Sequence, residues 1–144
     1  MPLKVKLKRL DKTLPFPIYQ TERSSGMDLY AREECILRSG DFITVPTGIV
    51  VEIPFGMEGQ VRPRSGLASK SGIGILNSPG TIDSDYRGEI KVILFNLSNK
   101  DYRIKKGDRI AQLVIAQTVK VELEEVENLG ETKRDKGGFG STDD

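Results

Sequence analysis

The chain has 144 residues, 37% of them hydrophobic and 30% charged, and a net charge of +1. That suits a single globular domain and gives no chain-wide electrostatic reason to bind nucleic-acid polymers or acidic membranes. With no histidine and one cysteine, Cys35, it excludes Ser-His-Asp and Cys-His catalysis, intrachain disulfides and the common zinc sites. Any chemistry must rest on carboxylates, lysine, arginine, tyrosine, hydroxyls and a metal held by oxygen ligands. No apolar run reaches the roughly 18 residues of a membrane span. The N-terminus alternates charged and apolar residues and lacks the apolar core of a signal peptide. The expected location is the cytoplasm, or the nucleus in a eukaryotic source.

In chain order, Leu3, Val5 and Leu7 alternate with lysines, the pattern of a half-buried edge strand. Phe42–Val45 and Ile49–Ile53 read as strands split by Pro46-Thr47-Gly48. Ser65 is placed as the cap of one short helix around Gly66–Lys70. Ile90–Phe95 is apolar on nearly both faces, which predicts a central strand or a subunit contact. Ile110–Ile115 and Val119–Leu123 continue the strand series. Turn residues recur between these runs, at Ser39-Gly40-Asp41, Pro54-Phe55-Gly56, Ser78-Pro79-Gly80 and Lys106-Gly107-Asp108. The fold class expected is all-β, a sandwich or barrel with one short helix. The regular pattern stops near Asn128, so residues 1–127 form the expected β domain and 128–144 a flexible, glycine-rich tail.

Five segments carry candidate chemistry. Ser24–Ala31 could place Asp28 near a metal-bound water, or could be a turn into a strand. In Gly59–Ala68 a helix start, Arg62, Arg64 and the Ser65 hydroxyl could receive an anion, although a surface turn with solvated arginines fits too. Asn77–Gly88 is expected to be a β-hairpin. It could be turn chemistry alone, or a pocket whose backbone and Asn77 amide match the edge of a flat ring. There Asp83 and Asp85, at i and i+2 of an extended segment, point the same way. They could hold a metal, or one could act as a base while Arg87 neutralises the other. Gly107–Leu113 is expected to be a hairpin exit, with Gln112 directed at a phosphate or at backbone groups. Last, Gly137-Gly138-Phe139-Gly140-Ser141-Thr142 is not a Walker A loop, for it lacks the Gly-Lys-Ser/Thr ending. Its glycines still allow successive N–H groups to converge on a phosphate, and Phe139 could stack on a base.

In this order the five segments resemble the five motifs of the homotrimeric dUTPases, over residues 24 to 142. The resemblance implies a distorted jelly roll of the β-clip type, a homotrimer with active sites shared between subunits, Mg²⁺ as cofactor and dUTP as substrate. Hydrolysis would yield dUMP and pyrophosphate, limiting uracil in DNA and supplying dUMP for dTTP synthesis. By the same resemblance Asp83 activates the attacking water, and Tyr86 packs against deoxyribose and leaves no room for a 2′-hydroxyl. Asn77 and the backbone around Gly80 and Ile82 read uracil. Arg64, Ser65, Gly66 and Gln112 contact phosphates. In the tail Arg134, Gly140, Ser141 and Thr142 close over the phosphates and Phe139 over the base. Asp28 lies near the metal, through water.

Two departures stand out, Asp135 and Asp143, where many relatives have glycine; Asp143 beside Ser141-Thr142 would oppose tail closure by charge repulsion. Two other readings remain: a dCTP deaminase-like relative, which would carry a glutamate inside the strand after the hairpin, and a non-catalytic nucleotide-binding trimer.

Overall fold

The computed structural model describes residues 2–142, so Asp143 lies outside the described residues. In chain order the elements are β1 (Lys6–Arg9), β2 (Met27–Tyr30), β3 (Cys35–Leu37), β4 (Phe42–Pro46), β5 (Ile49–Glu52), β6 (Met57–Arg62), α1 (Ser65–Ser71), β7 (Ile73–Ile75), β8 (Gly80–Ile82), β9 (Lys91–Asn96), β10 (Tyr102–Ile104) and β11 (Arg109–Gln117). The strands pair antiparallel in the orders β2-β11-β6-β8, β4-β9-β7, β1-β5 and β10-β3. The expected all-β class with one short helix is the fold observed.

Period-2 alternation explains most of these elements. β9 turns Val92, Leu94 and Asn96 inward and leaves Ile93 and Phe95 half-buried on its other face. It is central, between β4 and β7, as its two apolar faces predicted. β11 lies between β2 and β6 and contributes Ile110, Ala111, Leu113 and Val114 to the interior. Ile110, Ala111 and Leu113 join Leu29, Leu37, Val51, Ile53, Val61 and Ile104 in one continuous core, in which each fully buried aliphatic contributes about 1.5–3 kcal/mol.

Three sequence-based expectations give way. Val119–Leu123 is not a strand, because β11 ends at Gln117 and Val119, Val121 and Leu123 are exposed. Among the described residues no strand pairs with that run to complete its ladder. β10 and β11 are not a hairpin, since the turn at 105–108 carries the chain from the β3 ladder to the β2-β11-β6-β8 sheet. Residues 77–88 do fold back, but not as paired strands. β8 pairs with β6 and β9 with β4 and β7, and the segment reverses through a turn in which Tyr86 N–H donates to the Asp83 carbonyl at 3.1 Å.

Polar pins fix the loops. Asp11 accepts hydrogen bonds from Thr13 and pairs with Lys106 at 2.9 Å, tying the N-terminal loop to the turn before β11. The Thr13 bonds and the Lys106 ammonium hold this carboxyl well below the usual carboxylate range. Asn96 is buried with every polar atom satisfied. Its Nδ2 donates to the carbonyls of Leu37 (3.1 Å) and Lys100 (2.8 Å), and its Oδ1 accepts from the N–H (2.9 Å) and hydroxyl (2.7 Å) of Ser98. Asn96→Ala strips partners from two carbonyls and an N–H. It is expected to lower stability by about 2–4 kcal/mol, measured by urea unfolding at fixed protomer concentration. A loss within experimental error would show that water replaces the amide at no cost.

Candidate active site

Ion pairs build the first half of the site. Asp28, on β2, is buried, and its two carboxylate oxygens meet Arg64 Nε at 3.4 Å and an Arg109 guanidinium nitrogen at 3.6 Å. Arg64 also donates to the Arg109 carbonyl at 3.4 Å. A buried carboxylate needs partners of this kind, since its desolvation is otherwise uncompensated. One anion facing two cations leaves one positive charge in excess. The surplus borders a concavity of about 300 Å³ lined by both arginines and by Ser24, Ser25, Ser65 and Gln112. Hydroxyls, guanidinium groups and an amide around a local positive charge have the chemistry that anions such as phosphates need.

Local sequence explains the placement. Pro63 precedes the Arg64 cap residue, which is extended and makes no side-chain capping bond. Ser65 is the first residue of α1 rather than its cap, so its hydroxyl faces the concavity without a capping duty. Gln112 sits directly opposite Asp28 in the β2–β11 ladder, and its Nε2 donates to the Pro63 carbonyl at 3.1 Å. Gln112 thus satisfies a backbone group, the structural one of its two readings, while also lining the concavity. Gly26 packs closely beside it, since a Cβ there would lie 2.8 Å from Gln112 Oε1 and displace that amide.

The second half lies elsewhere on the chain. Asn77, Gly80, Ile82 and Tyr86, with Val61 and Ile90, line a narrow cavity of about 170 Å³. Ile82 commits its side chain to the core, so its main chain is what the cavity can use. Gly80 holds the cavity open, since a Cβ would meet Val61 Cβ at 3.3 Å and Asn77 Nδ2 at 3.4 Å. On the other side of the same turn, Asp83 and Asp85 share a third concavity, of about 480 Å³, with Phe55, Glu58 and Lys120. The two carboxylates face one space as expected, although they sit in a turn and not in an extended run. Arg87 is not their counter-ion. It pairs with Glu52 at 3.5 Å and donates to the carbonyls of Ser84 and Tyr86. Neither concavity shares a lining residue with the arginine site.

The tail candidates stand apart from both halves. Among the described residues, no hydrogen bond or ion pair joins the chain after Thr118 to the β body. Within the tail, Arg134 Nε donates to the Gly137 carbonyl at 2.7 Å, and Ser141 N–H to the Gly138 carbonyl at 3.1 Å. Asp135 and Phe139 adopt left-handed φ values of 47° and 52°. Phe139, Gly140, Ser141 and Thr142 are exposed, the phenyl ring completely so.

Arg109 is the functional candidate that sequence reasoning missed. Arg62, read as the second arginine of the anion site, instead donates to Gln60 Oε1 at 2.6 and 3.0 Å. Arg109 takes its place because the β2–β11 register shifts between Arg109 and Ala111, a bulge of the kind that re-aims a side chain.

Comparison with known proteins interprets this arrangement. The dUTPase family model matches residues 12–143. The chain belongs to the dUTPase family. It is 56% identical to the deoxyuridine 5'-triphosphate nucleotidohydrolase of Wolbachia sp. subsp. Brugia malayi (strain TRS), with 97% of this chain and 94% of that protein covered. It is 54% identical to the enzyme of the same name from Thermoanaerobacter sp. (strain X514), with 99% of each covered. Its fold superposes on the Staphylococcus bacteriophage 80alpha dUTPase with a TM-score of 0.85 at 29% identity, covering 96% of this chain and 97% of that one. The architecture is thus the dUTPase jelly roll, and the matched span takes in every segment singled out above, the tail included. No helix among the described residues is long and apolar enough to cross a membrane.

Within this dUTPase-family site, Arg109→Ala is expected to weaken binding of inorganic pyrophosphate at least about tenfold, the scale of one charge-assisted contact. Isothermal titration at fixed ionic strength measures it. Unchanged affinity would mean that Arg109 only neutralises Asp28.

Proposed function

We propose that the chain hydrolyses dUTP to dUMP and pyrophosphate at sites assembled between subunits of a homotrimer. One observation supports the assembly, which follows the dUTPase family: in a single chain the ring-sized cavity and the arginine concavity have separate linings. A nucleotide triphosphate needs both a base pocket and a phosphate pocket in reach of one molecule. The curated relatives are named for action on deoxyuridine 5'-triphosphate, and the phage neighbour was solved with the dUTP analogue dUpNHpp.

In this reading uracil enters the cavity bordered by Asn77, Gly80 and the Ile82 main chain, and Tyr86 covers the deoxyribose. Arg64, Ser65, Gly66, Arg109 and Gln112 of a neighbouring subunit receive the phosphates. Asp83 takes a proton from a water molecule whose oxygen attacks the α-phosphorus. The bond to the bridging oxygen breaks, and pyrophosphate leaves with the electron pair. The arginines stabilise the charge that builds on the leaving group. Arg134, Gly140, Ser141 and Thr142 close over the phosphates, with Phe139 on the base.

The residues present suit Mg²⁺ carried on the substrate. Among the described residues no group of three His, Cys, Asp or Glu could cage a metal. Asp28 is, among the described residues, the sole carboxylate lining the arginine concavity, already shared between two guanidinium groups. Such a donor set fits an ion held mainly by phosphate oxygens and water, which Asp28 would reach through water. When bound, Mg²⁺ supplies neutralisation of the triphosphate and orients it for in-line displacement. The cytoplasm is the proposed location.

The deaminase-like reading fares worse. β9 carries no glutamate, and the Glu89 carboxylate just before it is engaged with Arg32 and the Gly48 N–H.

Pyrophosphate release from dUTP, UTP, dTTP and dCTP, with and without Mg²⁺, tests the function. Release from dUTP alone, dependent on Mg²⁺, is the expected result; loss of cytosine absorbance with dCTP would favour the deaminase. Asp83→Asn is expected to cut turnover of dUTP by about 10²–10⁴-fold while nucleotide still binds. Near-normal turnover would remove Asp83 from its role. Subunit sharing has its own test. Mixing inactive Asp83→Asn and Arg64→Ala chains, unfolded and refolded together, is expected to restore measurable hydrolysis through hybrid sites. No recovery in verified mixed oligomers would place each complete site within one subunit.

A further inference from the structure

We infer that the Gly88–Glu89 segment is the seat that fixes the Tyr86 ring, making Gly88 a positioning residue for sugar selection. The inference rests on the reading of Tyr86 as the cover of the deoxyribose. Its physical basis is a space that only a hydrogen atom leaves free. A Cβ on Gly88 would lie 2.5 Å from Tyr86 Cζ, 2.8 Å from Cε1 and closer still to the hydroxyl oxygen. Gly88 is not one of the glycines with positive φ, so its backbone conformation alone does not demand glycine. What excludes a side chain is the aromatic ring folded over it.

The outer end of the ring is also tied. Tyr86 Oη donates to the Glu89 carbonyl at 3.1 Å. That carbonyl belongs to a stretch of backbone pinned on several sides. The Glu89 carboxylate, largely buried, accepts the Gly48 N–H at 2.9 Å and pairs with Arg32 at 3.2 Å. The next residue, Ile90, donates its N–H to the Ile49 carbonyl at 2.9 Å, and its own carbonyl receives the Thr47 N–H and hydroxyl. The ring is therefore held between a floor without a side chain and an anchored carbonyl, at the border of the ring-sized cavity. A residue that rejects a 2′-hydroxyl by bulk must not yield when the hydroxyl presses on it. The seat supplies that resistance.

The test compares kcat/KM for dUTP and UTP in the wild type, Tyr86→Ala, Gly88→Ala and the Gly88→Ala/Tyr86→Ala double variant. Gly88→Ala adds one methyl group and leaves Tyr86 in the chain. It is expected to lower the dUTP/UTP ratio by about tenfold or more, with kcat/KM for UTP rising. General damage to the protein would lower both values. In the double variant the ratio is expected to match Tyr86→Ala alone, since both changes act through one ring. If Tyr86→Ala loses discrimination while Gly88→Ala keeps it, the seat is overturned and the sugar-cover reading stands. If Tyr86→Ala keeps discrimination, that reading fails and the inference with it. Should Gly88→Ala not fold by circular dichroism, Tyr86→Phe carries the test. It removes only the tie to Glu89 and is expected to lower the ratio by about threefold; an unchanged ratio overturns the seat.

Discussion

The carboxylate of Asp28 between Arg64 and Arg109 is the interaction on which the rest of the site depends. Burying an unpaired carboxylate costs several kcal/mol, and holding two guanidinium groups side by side is unfavourable too. Together the three groups remove each other's difficulty. They also join β2, the segment before α1 and the start of β11, which are far apart in sequence. The positive charge left over faces outward into the concavity. The fold and the proposed anion site thus draw on one set of contacts, and a substitution that disturbs the pairing reaches both.

A second feature is that the candidate residues of the single chain line separate concavities. The turn at 83–86 divides its candidates between two concavities, neither of which borders the arginines. The run after Thr118 keeps an alternating apolar face, Val119, Val121 and Leu123, with nothing on it, and Phe139 is wholly exposed. Apolar surface presented in order, rather than scattered singly, marks a place where another surface belongs. These separate concavities and uncovered apolar residues support the shared site proposed for this dUTPase-family chain.

Much of this was legible in the sequence, and the failures have physical causes. Strands with aliphatic residues at every second position, such as Ile49–Glu52 and β9, announced themselves. β6 did not, although it alternates as Met57, Gly59, Val61 against Glu58, Gln60, Arg62. Its central inward position is glycine because Ile53, Ile82 and Leu113 already fill the space, where a Cβ would come within 2.9 Å of Ile53. Val119–Leu123 failed in the opposite sense, for the periodicity is present but the partner strand is not. At the site, Arg64, Ser65, Gln112, Asn77 and Tyr86 fell where their motifs suggested concavities. Arg109 was hidden because a bulge decides where it points, and a bulge has no signature in Gly107-Asp108-Arg109 beyond that of a turn. Arg87 was misassigned because sequence proximity to Asp83 and Asp85 says nothing of Glu52 across the surface.

The place of β11 has a consequence for how the protein is made. It is the last strand in the chain yet sits inside its sheet, between β2 and β6. A polypeptide growing from its N-terminus therefore carries β2 and β6 without their shared partner until β11 itself has been synthesised. Pairing between ends so distant is slow to nucleate, and open edges invite association with other nascent chains. The domain cannot mature piecemeal on the ribosome. Its closing step awaits the synthesis of β11, and a product terminated before Arg109 would be left with the edges of β2 and β6 that β11 covers.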